Sequence, residues 1–277
     1  MTPIPDFLYG TAWKEDRTAA LVELAIKSGF RGIDTANQRR HYFEAGVGEG
    51  LAAAYRAGVV KRSDLFLQTK FTYIDGQDHR LPYDPKAGLS TQVAQSMASS
   101  LEHLGTDYVD SYVLHGPASG HGWSEEDSEV WLAMVQERDA GRTRLLGLSN
   151  VSLRHLNQML TVGAGTPAFV QNRCYARLGW DRDVRAFCRE RKIVYQGFSL
   201  LTANINDLRH PAAAKIITAI AQRERATLAQ VVFRFTQAVG MLPLTGTTDA
   251  EHMRQDLACG GLTLSSEEIR AIESMAG

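Results

Sequence analysis

The feature that most constrains the fold is an eightfold alternation of short apolar segments with longer segments of helical periodicity. The short segments read FLYG, RGIDT, DLFLQTKF, YVDSYVLH, RLLGLSN, AFVQNR, IVYQGFS and MLPLTG. Between them, in segments such as AALVELAIKSGF and TLAQVVFRFTQAVG, apolar residues recur at spacings of three and four, which is typical of one buried helix face. Strands that alternate with helices pair in parallel, because each helix carries the chain back to the same end of the sheet.

Eight strand–helix units in 277 residues predict a single (β/α)8 TIM barrel, with residues 1–277 forming one domain. An open, doubly wound sheet is the alternative. That fold favours a GxGxxG turn after its first strand when it binds a dinucleotide, whereas FLYG is followed by TAWKED. Helix ends are predicted at the glycines Gly29, Gly105, Gly141 and Gly240, and helix starts at Ser124 or Asp127 and at Ser152.

The charge balance and the cysteine content argue against several classes of function. With 30 basic and 31 acidic residues the net charge is −1, which gives no electrostatic reason to expect a nucleic acid or an anionic membrane as partner. The three cysteines, Cys174, Cys188 and Cys259, are far apart and form no CxxC pair, so reduced thiols are expected rather than metal ligands. The chain shows neither a signal-peptide pattern nor an apolar run of about 18–20 residues. These features predict a cytoplasmic protein that acts on a small molecule without a metal.

Polar residues stand at the carboxyl ends of three consecutive predicted strands. Asp34 ends the second strand, Lys70 the third and His115 the fourth, and Tyr42 follows in the loop after the second strand. Each residue alone has a structural explanation: an aspartate caps a helix, a lysine reaches solvent, a histidine is satisfied in the core, and a tyrosine lies on the surface. In a closed barrel, however, the four side chains would gather at one mouth, where active sites lie. The pattern therefore predicts a catalytic cluster.

The four side chains suit proton transfer to a carbonyl oxygen. A tyrosine with an ordinary pKa of ~10 is a weak acid at neutral pH, and a nearby ammonium lowers that pKa towards the working range. A buried lysine keeps its charge only when it is paired, and Asp34 is the available partner. A histidine beside the phenol can hydrogen-bond to the carbonyl oxygen and orient it. We therefore expect Tyr42 to be a general acid whose pKa is lowered by Lys70.

Five motifs in register resemble the aldo-keto reductase superfamily. They are GFRGIDTA, EAGVGEGL, LFLQTK, YVDSYVLH and GRTRLLGLSN, and the resemblance extends from about Phe7 to about Met275. It implies a barrel, often monomeric, that reduces aldehydes or ketones to alcohols by direct hydride transfer from NADPH or, less often, NADH. By motif, its catalytic residues are Asp34, Tyr42, Lys70 and His115.

The resemblance also implies a set of cofactor contacts. Ser149, Asn150 and Gln171 would hold the nicotinamide carboxamide, and Thr11 and Ala12 would approach the nicotinamide ribose. The further expected contacts are Phe198 against the nicotinamide ring, Ser199 and Leu201 at the pyrophosphate, Gly246, Thr247 and His252 at the adenosine 2′-phosphate, and Gln255 and Asp256 at the adenine amino group.

Two departures from the family pattern bear on these assignments. The family usually has its tyrosine five residues after the aspartate, where this chain has Arg39, whereas Tyr42 stands eight residues after Asp34 in a longer loop. We expect the shifted tyrosine to remain catalytic, and a remodelled loop that displaces it is the alternative. On the eighth strand the clamping lysine is absent and His252 replaces the arginine. NADP(H) is predicted from the threonine hydroxyls, the next helix N-terminus and Arg254, and NAD(H) stays open.

The substrate pocket is expected to have Trp13, Tyr73 and Trp123 as walls, and to be open, because the chain ends soon after its last predicted helix. A regulatory module that binds the cofactor on the same barrel with little turnover is the alternative function. A barrel hydrolase or isomerase would need a metal cluster or paired catalytic carboxylates, and the sequence shows neither pattern.

Overall fold

Eight parallel strands close into one barrel, in which each strand pairs with the next along the chain and β8 returns to β1. The strands are β1 (Leu8–Gly10), β2 (Gly32–Asp34), β3 (Phe66–Phe71), β4 (Val109–Leu114), β5 (Thr143–Ser149), β6 (Phe169–Arg173), β7 (Val194–Phe198) and β8 (Met241–Thr245). Closure through the β1–β8 pair, with Leu8 opposite Leu244, excludes the open, doubly wound sheet. The predicted (β/α)8 barrel is confirmed.

The computed structural model describes residues 3–163 and 165–274, without the side chain of residue 212. The predicted domain of residues 1–277 and the resemblance up to Met275 include residues outside this part. The helices are α1 (Thr18–Ser28), α2 (Glu44–Arg56), α3 (Leu89–Leu104), α4 (Glu125–Asp139), α5 (Leu153–Leu160), α6 (Arg182–Glu190), α7 (Ile205–Arg209), α8 (Pro211–Glu224), α9 (Leu228–Ala238), α10 (Ala250–Ala258) and α11 (Ser266–Glu273). Within the described part, no helix combines the length and apolar character needed to cross a membrane.

Local sequence signals set the helix boundaries. Gly29 and Gly105 follow α1 and α3 with φ of 116° and 62°, a left-handed conformation that glycine adopts without strain, and they confirm two predicted helix ends. At the start of α4, Ser124 Oγ accepts from the Asp127 N–H at 3.0 Å, and the Asp127 carboxylate accepts from the Ser124 N–H at 2.9 Å. Both predicted starts therefore belong to one capping box. Ser152 caps α5 through its side chain, as predicted.

The barrel interior changes from apolar to polar along the strand direction. Towards the amino ends, Leu8, Phe66, Phe169 and Leu242 form a small cluster separate from the main core between strands and helices. The rings of Phe66 and Phe169 meet edge to face with centroids 5.6 Å apart. The next inward position on β3 is Gln68, which is fully buried and polar. The apolar cluster thus fills the amino end of the barrel, and the polar side chains lie towards the carboxyl end.

Candidate active site

A cavity of about 750 Å³ opens at the carboxyl ends of the strands. The predicted site residues that line it are Ala12, Trp13, Asp34, Tyr42, His115, Ser149, Asn150, Gln171, Phe198, Ser199, Leu201, Gly246, Thr247, His252, Gln255 and Asp256. Four predicted residues do not line it: Lys70, which is fully buried beneath it, and Thr11, Tyr73 and Trp123. The fold therefore brings most of the scattered polar residues to one cleft, as the carboxyl-end rule for barrels requires.

The deepest charged groups of the site are Asp34 and Lys70, which form a buried ion pair. Lys70 Nζ donates to both carboxylate oxygens of Asp34, at 2.7 and 2.8 Å, and to Thr35 O at 2.7 Å. All three ammonium protons are thus engaged. Burial lowers the pKa of Lys70, and the Asp34 carboxylate opposes that effect. Removing one partner would leave the other charge buried without compensation.

The loop after β2 carries Tyr42 into the same cavity in spite of its extra length. Lys70 Nζ lies 5.3 Å from the centroid of the Tyr42 ring, and the ring of His115 meets it edge-on with centroids 5.8 Å apart. Arg39, which occupies the usual position of the family's tyrosine, instead lies with its guanidinium 4.5 Å from the centroid of the Phe43 ring. The structure therefore brings the shifted tyrosine, and not the residue in the usual position, to the cluster.

The surroundings of Tyr42 differ from the expectation that Lys70 lowers its pKa. Burial raises the pKa of the Tyr42 hydroxyl, the Asp34 carboxylate raises it further, and Arg173 lowers it. The difference arises chiefly because the hydroxyl is buried, which disfavours its charged form, and the carboxylate paired with Lys70 adds to that effect. The hydroxyl is consequently protonated at neutral pH.

His115 is a neutral, oriented imidazole. Its Nδ1 lies 2.7 Å from Thr72 Oγ1, and Thr72 is almost fully buried. Burial lowers the pKa of His115 to about 3, and the charges of Lys70 and His41 add to that effect. With Nδ1 engaged, Nε2 is the nitrogen left to meet a ligand. The sequence analysis did not assign Thr72, because nothing in the chain order shows that this hydroxyl meets the histidine.

The residues expected at the nicotinamide carboxamide are held by the protein itself. Ser149 Oγ donates to Gln171 O, and Asn150 Nδ2 donates to His115 O, both at 2.7 Å. Gln171 Nε2 donates to Asp34 Oδ1 at 3.0 Å. In the part of the chain described here, the side-chain oxygens of Asn150 and Gln171 accept no hydrogen bond. These two oxygens are therefore available to an amide donor of a ligand.

Two glutamines that the sequence analysis did not assign complete the floor of the site. Gln68 and Gln196 exchange amide hydrogen bonds of 2.8 and 3.0 Å across the barrel, and both are fully buried. Gln68 also donates to Asp34 Oδ1 at 2.7 Å, and Gln171 donates to Gln196 Oε1 at 2.9 Å. Each glutamine stands two residues before a predicted site residue on its strand, which was the available signal. The pairing across the barrel was not readable from the sequence.

The segment from β8 to α10 has fewer free groups for binding a phosphate than the sequence predicted. Asp249 already caps α10, because its carboxylate accepts from the N–H groups of Glu251 and His252 at 2.8 and 2.9 Å. Arg254 is paired with Glu251 at 2.6 Å on the surface. Two N–H groups at the start of α10 and the Arg254 guanidinium, which were expected to help to hold a phosphate, are therefore already bonded to carboxylates of the protein. His252 is exposed and lines the cavity.

The residues expected at the adenine lie beyond that segment, on α10. Asp256 is buried and accepts a hydrogen bond of 2.8 Å from Thr245 Oγ1. Burial raises the pKa of Asp256 to about 6. Gln255 is half-buried beside it and also lines the cavity. The two side chains are placed to meet the same ligand.

A buried cation that the sequence analysis missed is Lys14, in the loop after β1. Its side chain is only 7% exposed, lines the cavity, and reaches across to donate from Nζ to Gly246 O. No carboxylate pairs with this ammonium among residues 3–163 and 165–274. Burial lowers the pKa of Lys14, and Arg17 lowers it further. A buried ammonium without a counter-ion favours an anionic group on the ligand that shares its cavity.

Tyr73 and Trp123 are turned towards structural partners rather than the cavity. The Tyr73 hydroxyl donates to Asp127 Oδ1 at 2.9 Å, and Trp123 Nε1 donates to Ser128 Oγ at 3.0 Å. Both bonds join loops to the start of α4. These contacts correct the expectation that the two aromatic residues are walls of the substrate pocket.

In the loop after β1, one predicted site residue is buried in the fold and two line the cavity. Thr11 is fully buried, and its hydroxyl donates to Asp34 O at 3.0 Å, which corrects its expected role at the ribose. Ala12 and Trp13 line the cavity as predicted. Trp13 is 67% exposed and stacks on His41 with ring centroids 4.1 Å apart. Trp13 therefore forms part of the wall at the exposed mouth of the cavity.

Comparison with solved structures identifies the class of the fold. The chain aligns with an aldo/keto reductase from Brucella melitensis with a TM-score of 0.81 and 25% identity, over 98% of this chain and 94% of the other. It aligns with a Bombyx mori aldo-keto reductase, solved in complex with NADP, with a TM-score of 0.82 and 23% identity, over 98% and 89% of the two chains. Together with the site, these likenesses define the class as a barrel oxidoreductase.

The family follows from the sequence comparisons. The family model described as Aldo/keto reductase family matches residues 8–276. An aldo-keto reductase of Mycolicibacterium vanbaalenii is 31% identical over 252 residues, which cover 91% of this chain and 80% of the relative. The chain belongs to the aldo/keto reductase family and is an NAD(P)-dependent oxidoreductase. The resemblance found in the sequence motifs is confirmed.

Proposed function

We propose that this protein reduces an aldehyde or ketone to an alcohol with NADP(H), and that Tyr42 donates the proton. The observation that carries the proposal is the position of the Tyr42 ring, 5.3 Å from the Lys70 ammonium and 5.8 Å from the His115 ring. Among the described residues that line the cavity, Tyr42 supplies the one phenol. Bound NADPH supplies the hydride.

The cavity suits a dinucleotide because both amide oxygens that can accept hydrogen bonds and a buried cation line it. Its volume of about 750 Å³ lies within the usual range for cofactor sites, ~300–1,000 Å³. Asn150 and Gln171 would accept from the nicotinamide carboxamide, and Phe198 offers an aromatic face to the ring. The uncompensated ammonium of Lys14 would be paired by a phosphate, which gives its burial a physical reason.

NADP(H) is the cofactor that we propose, with NAD(H) second. The similar aldo-keto reductase of Bombyx mori was solved with NADP bound. In this chain, Lys14 contacts Gly246 in the segment where the family resemblance locates the 2′-phosphate, and the Thr247 hydroxyl is a hydrogen-bonding group nearby. A single lysine and a hydroxyl give a weaker clamp than a lysine with an arginine, so the preference for NADPH over NADH should be moderate.

The chain's own residues supply the proton and direct it. Because its pKa is raised, Tyr42 is a hydroxyl and therefore a donor at neutral pH. His115, with Nδ1 engaged by Thr72, presents Nε2 to orient the carbonyl oxygen. As negative charge develops on that oxygen, the Tyr42 proton transfers to it and forms the alcohol O–H bond. The tyrosinate left behind faces the Lys70 ammonium until a proton from water restores the hydroxyl.

The test is NADPH and NADH oxidation by the purified protein with a panel of aldehydes and ketones. We expect many turnovers per molecule with at least one carbonyl compound, and a higher kcat/KM with NADPH. Binding of NADPH followed by no more than one slow oxidation per molecule would favour a regulatory module instead. A kcat/KM ratio that favours NADH with every substrate would overturn the cofactor assignment.

A further inference from the structure

Arg173 is a cation at the catalytic part of the cavity to which neither the sequence analysis nor the proposed mechanism gives a role. It ends β6, where strand alternation puts it on the same inward face as Gln171, two residues earlier. Its register partner on β7 is Phe198. Arg173 lines the cavity and is exposed within it, with its guanidinium 5.5 Å from the centroid of the Phe198 ring.

No protein carboxylate neutralises Arg173 in the part of the chain that the structure describes. Only two of the residues that line the cavity are acidic, Asp34 and Asp256. Asp34 is bonded through both oxygens to Lys70, and Asp256 accepts from Thr245. The guanidinium therefore has five N–H donors in a planar fork and no anion of the protein opposite them.

The location of Arg173 associates it with the reacting groups rather than with the β8–α10 segment. β6 pairs with β5 and β7, and three strand pairings, by way of β7 and β8, separate it from β1, where Lys14 follows and reaches Gly246. The charge of Arg173 also reaches the catalytic phenol, because it lowers the pKa of Tyr42 against the larger effect of burial. A substrate whose carbonyl oxygen meets Tyr42 would share the cavity with this guanidinium.

We propose that Arg173 binds an acidic group on the substrate, so that the preferred substrate is a carbonyl compound that carries a carboxylate. A carboxylate fits the planar guanidinium fork through two parallel hydrogen bonds, and a neutral group does not. The salt link would hold the substrate with its aldehyde or ketone at a fixed distance from Tyr42. This inference rests on the proposed carbonyl reduction and names its substrate class.

The test compares 4-carboxybenzaldehyde with its methyl ester, methyl 4-formylbenzoate, in NADPH oxidation. The two aldehydes differ in the charge of the distant group. We expect the wild-type protein to favour the acid in kcat/KM by about 10–100-fold, the scale of one charge-assisted interaction. Arg173→Gln should remove that advantage through a higher KM for the acid and leave the KM for the ester within about twofold, and any change in kcat that comes from the lost charge near Tyr42 should be the same for both substrates. Arg173→Lys, which keeps the charge but not the fork, should retain part of the advantage.

Arg177→Gln is the matched control, because Arg177 is an exposed arginine four residues further on that stacks on Tyr175 and does not line the cavity. It should leave both substrates unchanged. An equal loss for acid and ester in Arg173→Gln, with a raised Kd for NADPH, would show that Arg173 binds the cofactor and would overturn the inference. Unchanged selectivity in Arg173→Gln would overturn it as well. If the wild-type protein oxidises NADPH with no carbonyl compound at all, the proposed function fails first, and this inference fails with it.

Discussion

The catalytic group (Asp34, Tyr42, Lys70 and His115) and the β8–α10 segment (residues 245–256) face the same cavity but are built differently. In the catalytic group the charges are buried and paired, and Lys70 has an acceptor for each of its three protons. In the β8–α10 segment Glu251 and Arg254 pair on the surface, the exposed Asp249 caps α10, and the buried Asp256 accepts from a neutral hydroxyl. A buried, fully bonded cluster fixes reaction geometry, whereas a solvated segment tunes affinity. Substitutions in the catalytic group should therefore have the larger effects.

The largest effect on stability is expected at the buried ion pair. Asp34→Asn removes the carboxylate and leaves the Lys70 ammonium, which is fully buried, without its counter-charge. The free energy of unfolding should fall by about 3–5 kcal/mol. Urea unfolding followed by circular dichroism measures it.

The double variant Asp34→Asn with Lys70→Met is the control for that prediction. It removes both charges, so a large part of the lost stability should return while reductase activity stays lost. A single variant as stable as the wild-type protein would show that the pair is not energetically coupled.

A smaller effect, on kcat, is expected at Thr72, whose hydroxyl orients His115. Thr72→Val removes the hydrogen bond to Nδ1 with little change of volume, and kcat should fall about 2- to 10-fold, the value of one neutral hydrogen bond. Thr72→Ser keeps the hydroxyl and should retain most of the activity. Equal losses of kcat in the Thr72→Val and Thr72→Ser variants would show that packing, and not the hydroxyl, matters at this position.

The lowered pKa of His115 gives a separate prediction. Because that pKa is about 3, the plot of kcat against pH should show no step from titration of His115 between about pH 5 and 8.

The smallest effect is expected within the β8–α10 segment, at the buried Asp256. Its pKa rises from 3.8 to about 6 on folding, so the folded state keeps a proton that the unfolded chain has released. This group therefore stabilises the fold below about pH 4, and the contribution is lost as the pH rises through about 6. Asp256→Asn cannot titrate, so the difference in unfolding free energy between wild type and variant should change over that range. A difference that stays constant with pH would contradict the raised pKa.

The strands, and the gathering of Asp34, Lys70 and His115 at one end of the barrel, were predictable because their sequence signals are local. Asp34, Lys70 and His115 follow apolar runs whose length and spacing define strands, and closure of the barrel then collects strand ends at one mouth. The shifted Tyr42 was also predictable, because it is the one tyrosine in the loop after β2. These predictions needed no knowledge of which side chains meet across the barrel.

Several of the errors and omissions depend on contacts between side chains that are distant in the sequence. Gln68 pairs with Gln196 from the opposite side of the barrel, a contact that strand register decides and the order of residues does not. Tyr73 was predicted as a pocket wall from its position near a strand end, but its hydrogen bond to Asp127 turns it aside. The lowered pKa expected for Tyr42 is wrong because the extent to which the folded barrel buries its hydroxyl was unknown. Side-chain direction is therefore what the sequence could not supply.

The most direct test of the account is the comparison of Tyr42→Phe with Tyr55→Phe. Tyr55 is a matched control, because its hydroxyl is buried, has no hydrogen-bond partner among the described residues and lies outside the cavity lining. If Tyr42 is the proton donor, Tyr42→Phe should reduce kcat by about 10²–10⁴-fold, the scale for losing a general acid, while the Kd for NADPH stays close to that of the wild-type protein. Tyr55→Phe should change neither quantity. Near-wild-type kcat in Tyr42→Phe, with folding and NADPH binding intact, would contradict the assignment on which the whole mechanism depends.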